Sequence, residues 1–398
     1  MDTVADPVVI VAAQRTPLGA FQGSLAGASA TRLGAAAIAA ALRESRVDGD
    51  DVDEALVGCV LPAGLGQAPA RQAVLAAGLP DTVACTTVNK VCGSAMKALM
   101  LAHDQLLAGV ATIVVAGGME SMSNAPYLLQ KARGGYRLGH GQLVDHMFFD
   151  GLQSPFDGHL MGHFAEVCAD TYGFTRDAQD AYAAESVRRA QRAVAEGDFE
   201  REIAPVTLAG RGGTETVVAV DETPGLCDLA KIAKLKPAFR TDGTGTVTAA
   251  NASSISDGAA ALVLMRASEA ARRDIVPLAR LVGHATHAQA PEWFTTAPVG
   301  AIEKLLLRVG WQADEVDLYE INEAFAVVAM AAMRDLDLPH AKVNVNGGAC
   351  ALGHPIGATG ARIVVTLLHA LRARGLARGV ACLCLGGGEA TAVAVEVV

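Results

Sequence analysis

The stretch "TTVNKVCGSAMKALM", Thr86 to Met100, places a single cysteine where a β-branched run ends and a helical run begins. The residues before Cys92 predict a strand, and Ser94 to Leu107 predict a helix that is apolar on nearly every face and therefore buried. Unpaired amide N–H groups and the positive end of a helix dipole stabilise a thiolate at such a position. Cys92 is therefore a candidate nucleophile, with a small buried packing residue as the alternative.

Two parts of the chain repeat the same kind of unit. The segment "AIAAALRESRVDGDDVDEALVG" from Ala37 matches "AIEKLLLRVGWQADEVDLYEIN" from Ala301 without a gap. The segment "GVATIVVAGGMES" from Gly109 then matches "GVACLCLGGGEAT" from Gly379. Two matches in the same order predict an α/β protein with two duplicated α/β halves, each ending in a strand and a glycine-rich turn.

The composition changes between the halves, which predicts an inserted loop subdomain. Its one strong helix begins after Thr175 as N-cap, has Asp177 in the first turn and ends before Gly197. A lid or partner surface and a plain elaboration of a linker both remain open for this segment. The predicted domains are an N-terminal half at 1–120 plus 247–275, the inserted subdomain at 121–246 and a C-terminal half at 276–398.

Composition excludes several classes of function. Of the 398 residues 51% are hydrophobic and only 4% aromatic, and no apolar run approaches the length of a membrane span, so we expect no membrane partner. A net charge of −10 argues against a nucleic-acid partner. The first residues, "MDTVADPVVIVAAQRTP", move straight into a strand without a signal or transit pattern, which predicts a cytoplasmic location.

The cysteines do not indicate a disulfide scaffold or a zinc site. The chain has 8 of them in 398 residues, which is too few for a secreted disulfide framework. No CxxC motif occurs, and the only close pair is Cys382 with Cys384. We therefore expect no zinc and no other metal site in this protein, and simple packing for most of the thiols.

Two further stretches have a polar side chain next to a predicted element boundary. In "VDLYEINEAFAVVAM" a strand ends near Glu320 and a helix begins near Glu323, which leaves Asn322 at the junction. In "GACALGHPIGATGAR" Pro355 is a good first helical residue and keeps His354 out of the helix. Asn322 as an ordinary N-cap and His354 as a hydrogen-bonded turn residue are the alternatives.

A third stretch, "ACLCLGGGEA", puts Cys382 and Cys384 on the same face of a strand that ends in three glycines. Taken singly, Cys384 is better explained as a core residue. Together with Cys92, Asn322 and His354, however, it occupies the predicted C-terminal end of a strand, where open α/β sheets bind ligands. Glycines around three of the four would let a ligand approach the backbone, so the four together predict an active site.

The motifs "NKVCGSAMKAL", "GGMESMSNAPY", "NASSISDGAAALVLM", "NEAFA", "GHPIGATGAR" and "CLGGG" occur in an order that resembles the thiolase family, closest to its short-chain acetyl-CoA acetyltransferases. The resemblance covers nearly the whole chain. It implies the thiolase fold, with two related α/β halves and a loop domain inserted in the first, in agreement with the repeats.

The resemblance also implies an activity and a set of catalytic residues. The reaction is the reversible Claisen condensation of two acetyl-CoA to acetoacetyl-CoA and CoA through an acyl-cysteine. Cys92 corresponds to the acylated nucleophile, His354 to its activating base and Cys384 to the acid/base. Asn322 corresponds to the holder of a water at an oxyanion site, and the amides of Cys92 and Gly386 to the second oxyanion site.

Coenzyme A thioesters are the substrates that this resemblance implies, so no cofactor is expected. Ser253 corresponds to a serine that contacts pantetheine, and Met161 and Phe325 correspond to the tunnel wall. A separate hypothesis from charge alone assigns the nucleotide end of CoA to a basic cluster, with a solvated lysine face as the equal alternative. That cluster consists of Lys231, Lys234, Lys236 and Arg240.

Assembly and chain length are the remaining expectations. The segment "SMSNAPYLLQKARGGYRLGHG" resembles the loop that joins dimers in short-chain thiolases, which predicts a homotetramer, or failing that a dimer. Leu160 stands where short-chain members usually have histidine, so a broader-range 3-ketoacyl-CoA thiolase of fatty-acid degradation is the alternative activity. Cys384 argues against a ketoacyl synthase, and the intact Cys92, His354 and Cys384 argue against a non-catalytic binding protein.

Overall fold

The computed structural model describes residues 6–210 and 213–398. None of the helices in these ranges is both long and apolar enough to cross a bilayer. The strands are β1 (Val8–Arg15), β2 (Gly19–Ala20), β3 (Glu54–Gly58), β4 (Ala84–Val88), β5 (Ile113–Ser121), β6 (Tyr127–Leu128), β7 (Val144–Asp145), β8 (Val206–Ala209), β9 (Glu215–Val218), β10 (Ser256–Arg266), β11 (Ala279–Ala288), β12 (Leu318–Ile321), β13 (Arg378–Leu385) and β14 (Glu389–Val397). The helices are α1 (Ala30–Ser45), α2 (Pro69–Ala76), α3 (Ser94–Ala108), α4 (Met161–Tyr172), α5 (Arg176–Glu196), α6 (Glu222–Leu226), α7 (Ala267–Arg272), α8 (Ala297–Val309), α9 (Ala326–Asp335), α10 (Ala349–Leu352) and α11 (Thr359–Arg374).

The large sheet contains the same strand arrangement twice. In the first arrangement the order is β4-β3-β5-β10-β1, with β3, β4 and β5 parallel and β10 antiparallel to both of its neighbours. In the second the order is β12-β13-β14-β11, with β12 and β13 parallel and β14 antiparallel to its neighbours. A parallel bridge from Tyr319 to Val343 occupies the place that β4 has in the first. The predicted duplication of an α/β unit is confirmed.

The strand registers correct one of the two sequence matches. The first match aligns Glu54 with Leu318. In the structure Glu54 pairs with Val114, whereas Leu318 pairs with Gly379. Gly379 therefore corresponds to Val114 and not to Gly109, a displacement of five residues. The double glycine that begins at Gly117 lies inside β5, where a Cβ on Gly117 would be 2.1 Å from a backbone oxygen of β10, so it is not a turn.

Helices lie in three layers around these strands. The helices α3 and α11 share one apolar core with strands of both arrangements and therefore lie between them, so most of α3 is buried as predicted, and its last turns are exposed at Asp104 and Leu107. The helices α1 and α2 cover the outer face of the first arrangement, and α8 and α9 that of the second. The two arrangements join directly through the antiparallel pairs Val9 with Arg280 and Ile10 with Ala279.

Element boundaries near the candidate site differ in part from the predictions. The helix α5 follows Thr175, whose side chain accepts the amide of Ala178, and ends at Gly197 in the left-handed conformation, as predicted. The helix after Asn322 begins only at Ala326, and α11 begins at Thr359, so Pro355 is not its first residue. Residues 211 and 212 of the predicted inserted subdomain lie outside the described residues.

Candidate active site

A mainly apolar cavity of about 550 Å³ brings most of the predicted site residues together. Its lining includes seven of the eight: Cys92, Met161, Ser253, Phe325, His354, Cys384 and Gly386. Asn322 is almost fully buried, next to His354. A larger cleft of about 650 Å³ shares none of these residues and is lined by charged side chains such as Glu44 and Arg372. The smaller cavity is therefore the candidate active site.

A tight turn after β4 presents Cys92 to this cavity. Val91 has a φ of 47°, a left-handed conformation that is strained for a β-branched residue. The hydroxyl of Ser94 accepts the amide of Lys90 at 2.8 Å and donates to the carbonyl of Val91 at 2.6 Å, which closes the turn. The residue that follows Cys92 must be small, because a Cβ on Gly93 would lie 2.6 Å from the side chain of Leu385. Cys92 thus lies two residues before the start of α3, with Gly93 as the N-cap between them.

Burial dominates the electrostatics of the Cys92 thiol. Burial raises the pKa of this thiol to about 11, although hydrogen bonds from the amides of Gly386 and of Cys92 itself act in the opposite direction. The prediction that the start of a helix stabilises a resting thiolate here is therefore wrong, because desolvation outweighs the amide groups. Cys92 needs a base that removes its proton as the sulfur attacks.

His354 has the protonation state that such a base requires. Burial, and to a lesser degree the charge of Arg362, lowers the pKa of His354 to about 3, so the ring is neutral at neutral pH. Its Nδ1 lies 2.7 Å from the hydroxyl oxygen of Thr359, and that hydroxyl donates to the carbonyl of Pro355 at 2.9 Å. Nδ1 must then be the donor to Thr359, which leaves Nε2 without a proton and able to accept one.

Asn322 lies on the Nε2 side of this ring. Its Nδ2 is 3.5 Å from Nε2 of His354, and its backbone amide donates to the carbonyl of Cys382 at 2.9 Å. The side-chain Oδ1 of Asn322 is buried and has no hydrogen-bond partner among the described residues. The side chain thus keeps a free acceptor beside the imidazole.

Sequence reasoning missed Glu323, which fixes the loop after Asn322. Its carboxylate accepts from the hydroxyls of Tyr182 at 2.9 Å and Ser186 at 2.8 Å, both on α5. It also accepts from the side chain of Asn344 at 2.9 Å and from the amide of Cys350 at 3.0 Å. One buried carboxylate therefore connects α5, the Asn322 loop and the segment that leads to His354. Its position in the motif "NEAFA" was the only sequence signal.

Glu120, at the end of β5, was also missed. Its carboxylate accepts the amides of Val60 at 3.0 Å and Leu61 at 3.1 Å, and a further hydrogen bond comes from the amide of Gly357. Burial raises the pKa of this carboxyl to about 7. Glu120 thus connects the loop after β3 to the His354 loop, and the motif "GGMES" contained it without indicating this contact.

Cys384 lies near the end of β13 and is fully buried. Burial first, and the nearby Cys92 second, raise the pKa of its thiol well above the usual value. The strand ends in a turn that only glycine adopts easily, since Gly387 and Gly388 have φ values of 92° and 84°. This turn brings the amide of Gly386 to the Cys92 sulfur.

The three predicted substrate-binding residues lie on segments that contact one another around the cavity. Ala252 and Phe325 form an antiparallel bridge, and the amide of Ser253 donates to the carbonyl of Ala324 at 3.0 Å. Met161 begins α4, and its sulfur would lie 3.7 Å from a Cβ on Gly386. The cavity wall is thus built from α4, the segment before β10 and the segment before α9.

The predicted basic cluster is only partly available for a ligand. Lys231 pairs with Asp228 at 3.2 Å, and Arg240 pairs with Asp170 at 2.9 Å. Lys234 and Lys236 make no ion pair with any described residue. Of the four cations, two therefore keep unpaired charge close to Ala238 and Phe239, which line the cavity.

The chain is similar to known proteins in both sequence and fold. Residues 8–268 match the family model "Thiolase, N-terminal domain", and residues 275–397 match "Thiolase, C-terminal domain". Acetyl-CoA acetyltransferase 2 of Arabidopsis thaliana is 52% identical over 98% of this chain and 96% of its own length. A thiolase from Ascaris suum, solved in complex with coenzyme A, superposes with a TM-score of 0.93 at 43% identity, over 98% of this chain and 100% of that one. The acetyl-CoA acetyltransferase of Bacillus anthracis gives a TM-score of 0.96 at 42% identity, with 99% of each chain covered.

Proposed function

Since this chain belongs to the thiolase family, we propose that it is an acetyl-CoA C-acetyltransferase that condenses two acetyl-CoA to acetoacetyl-CoA and CoA, reversibly and through an acyl-cysteine. The observation that carries the proposal is the convergence of Cys92, His354 and Cys384 on one apolar cavity. Two thiols and one neutral imidazole suit an acyl transfer followed by a carbon-acid reaction.

In the first half-reaction the sulfur of Cys92 attacks the thioester carbonyl of acetyl-CoA. Its proton passes to Nε2 of His354, which is unprotonated and neutral. The negative charge that develops on the carbonyl oxygen is stabilised by the amides of Cys92 and Gly386. The C–S bond to CoA then breaks, and the departing sulfur takes the proton from His354. Cys92 remains acetylated, and CoA leaves as a thiol.

In the second half-reaction a second acetyl-CoA must lose a methyl proton. The proton of Cys384 passes to His354 only as negative charge develops on the thioester oxygen beside the imidazole, because that charge raises the proton affinity of His354; the resulting thiolate removes the proton from the methyl carbon. Because Cys384 holds a proton strongly in its buried site, its thiolate is a strong base. The enolate oxygen is then stabilised by the protonated His354 and by a water held by Asn322. The enolate carbon attacks the acetyl group, and Cys92 leaves and recovers its proton from His354.

In this proposal, contacts to the coenzyme A part of the substrate supply the binding energy that the small acetyl group does not. The apolar cavity suits the pantetheine arm, with Ser253 as polar contact and Met161 and Phe325 as walls. The unpaired Lys234 and Lys236 suit the phosphates of the nucleotide. A homotetramer, a cytoplasmic location and a role in fatty-acid metabolism stay predictions from the sequence.

The proposal is tested with purified protein, acetoacetyl-CoA and CoA, by following the loss of the acetoacetyl-CoA enolate absorbance. A parallel sample with acetyl-CoA alone is digested and examined by mass spectrometry. We expect thiolysis and an acetyl group on Cys92. Failure to cleave any 3-ketoacyl-CoA, or an acetyl group on another cysteine with Cys92 free, would overturn the proposal.

A further inference from the structure

A second group of ligand-type side chains lies outside the cavity, where α3 packs on β11. His103 and Asp104 are neighbours on α3, and His284 lies on β11. The same oxygen of Asp104 is 3.1 Å from Nδ1 of His103 and 2.8 Å from Nε2 of His284. Each of the three residues offers one ligand atom, and these ligand atoms all lie within 4.8 Å of one another. None of the three residues lines the cavity that contains Cys92.

We propose that His103, Asp104 and His284 form a binding site for a divalent transition-metal ion of the zinc class. Two imidazole nitrogens and one carboxylate oxygen are donors that Zn²⁺, Co²⁺ and Ni²⁺ accept, whereas Mg²⁺ and Ca²⁺ prefer oxygen alone. Because the cysteines supply no ligand, the sequence pattern did not indicate this site.

The spacing of the donor atoms fits such an ion. Ligands at zinc–nitrogen and zinc–oxygen bond lengths of about 2.0–2.2 Å stand about 3.3 Å apart in a tetrahedron. The two contacts of Asp104, 2.8 and 3.1 Å, need to widen by only a few tenths of an ångström, and the ligand nitrogens of the two histidines, which lie within 4.8 Å of each other, need to approach to this spacing. The Asp104 side chain is 55% exposed, so it can move by that amount and a water can take the fourth position.

The charged groups nearby also suit a cation. Asp104 supplies the carboxylate of the site, which lies between the two imidazoles. Arg266 is the nearby cation, and its charge is partly offset by Asp6 at 3.3 Å. One carboxylate charge therefore remains for the ion.

The site would connect the two halves of the molecule. The helix α3 follows Cys92 in the first strand arrangement, and β11 belongs to the second. His103 lies about 14 Å along the helix from its first residue, Ser94, at a rise of 1.5 Å per residue. A bound ion would thus join α3 to β11 without entering the cavity. We expect the metal to raise the unfolding temperature and to leave kcat unchanged, because a ligand that binds only the folded state stabilises that state.

The test uses protein freed of metal with EDTA and dialysed. Zn²⁺ binding is measured by calorimetry, and Co²⁺ binding by the visible ligand-field absorption that nitrogen and oxygen ligands produce. We expect one equivalent of metal and a higher unfolding midpoint. His284→Gln and Asp104→Asn should each weaken binding at least about tenfold, as loss of a ligand does.

His159→Gln is the matched control, because His159 stacks on His163 with ring centroids 4.0 Å apart and has Asp157 at 3.4 Å. That group offers the same residue types on the surface, and its variant should bind the metal as the wild type does. Less than one equivalent in the wild type, or unchanged binding in both site variants, would overturn the proposal. Asp104→Asn keeps the test decisive if His284→Gln does not fold, because Asp104 is exposed on one side.

Discussion

The hydroxyl of Thr359 holds the imidazole of His354, the proposed base, in one tautomer. The hydroxyl oxygen is 2.7 Å from Nδ1 of His354 and donates its own proton to the carbonyl of Pro355 at 2.9 Å. A hydroxyl that already donates can only accept from the ring. Thr359 is the first residue of α11, so the start of this helix orients the base.

Replacing Thr359 should therefore impair the base without removing it. In Thr359→Val the ring loses its acceptor at Nδ1, and the proton can move to Nε2, where it blocks acceptance from Cys92. We expect kcat for thiolysis to fall about 10- to 100-fold, with KM little changed, because the residue does not contact substrate. Steady-state kinetics with acetoacetyl-CoA and CoA measure this.

Thr359→Ser is the control, because it keeps the hydroxyl. It should retain most of the activity, while Thr359→Val should not. Equal losses in both variants would show that Thr359 acts through packing of its methyl group and not through the imidazole.

In the free protein, the reactivity of Cys92 should depend on pH as expected for a thiol with a high pKa. With a pKa of about 11 for Cys92, the thiolate fraction rises about tenfold per pH unit through neutral and mildly alkaline pH. Alkylation by iodoacetamide, followed by mass spectrometry of the Cys92 peptide, should increase steadily over this range. An inflection near the ordinary histidine pKa of about 6.5 would instead indicate a resting thiolate and imidazolium pair.

Acetylation of Cys92 by acetyl-CoA should show a different pH dependence. His354 has a pKa of about 3, so the base stays unprotonated until the pH falls towards that value. The rate of acetylation should be nearly constant from about pH 5 to pH 8, and only stronger acid should protonate the base. Rapid-quench measurement of acetyl-enzyme formation checks this, and a rate that halves near pH 6.5 would contradict it.

The two thiols should have separable roles. Cys384→Ala removes the carbon-acid step but leaves Cys92 and His354, so the enzyme should still take an acetyl group from acetyl-CoA. Cys92→Ala should lose both half-reactions. We expect condensation to fall by about 10²- to 10⁴-fold in Cys384→Ala, the range for loss of a general acid/base. Condensation at the wild-type rate in this variant would remove Cys384 from the mechanism.

Local sequence signals predicted the parts of this protein that depend on local structure. The cysteine before α3 and the limits of α5 at Thr175 and Gly197 follow from capping and periodicity, and the structure confirms both. The duplication was also visible, because equivalent helices and strands in the two halves kept similar residues. One match was displaced by five residues, since glycines inside a strand and glycines in a turn look alike in a sequence.

The missed features depend on contacts between distant residues. Glu323 meets Tyr182, which is 141 residues away, and Glu120 meets Leu61, which is 59 residues away, so no local pattern records either contact. The pKa of Cys92 was mispredicted for the same reason. The helix start is visible in the sequence, but the enclosure of the sulfur by other segments is not.

An ion pair joins the turn before Cys92 to the glycine turn after Cys384. It should position the backbone amides of Cys92 and Gly386, which form the proposed oxyanion site. Lys90 precedes Cys92 by two residues, Glu389 follows the glycine turn, and their side chains form a salt bridge. The pair holds together the loops that supply the amides of Cys92 and Gly386. We expect Lys90→Met to lower kcat about three- to tenfold through misplacement of these amides. The free energy of unfolding should change by only about 1 kcal/mol or less, as for other partly exposed pairs.

A double-mutant cycle separates the pair from each residue alone. Lys90→Met, Glu389→Gln and the double variant should show coupled losses in kcat, and the charge reversal of Lys90→Glu with Glu389→Lys should restore part of the rate. Purely additive losses, or no recovery in the reversed pair, would rule out a positioning role for the ion pair.

Acyl-chain length is the last prediction, and it depends on the cavity walls. Each buried methylene contributes only about 0.8 kcal/mol, so affinity discriminates poorly between chain lengths and a steric wall must do it. Phe294 and Phe325 line the cavity and are almost fully buried, and the pantetheine arm must share the same space of about 550 Å³. Leu160 also lines the cavity and extends less far from its backbone than the histidine that the resemblance leads us to expect there, which favours a few extra carbons.

We therefore expect kcat/KM for thiolysis to be highest with acetoacetyl-CoA, lower with 3-ketohexanoyl-CoA and lowest with 3-ketopalmitoyl-CoA. Leu160→His should sharpen this preference, because a longer and more polar side chain reduces the space beside the acyl group. Leu160→Met is the matched control, since it keeps an apolar wall of similar volume and should leave the order unchanged. A maximum with 3-ketopalmitoyl-CoA in the wild type would establish the broader-range thiolase activity instead, because a chain of that length can be cleaved best only if the two phenylalanines do not close the acyl end of the cavity.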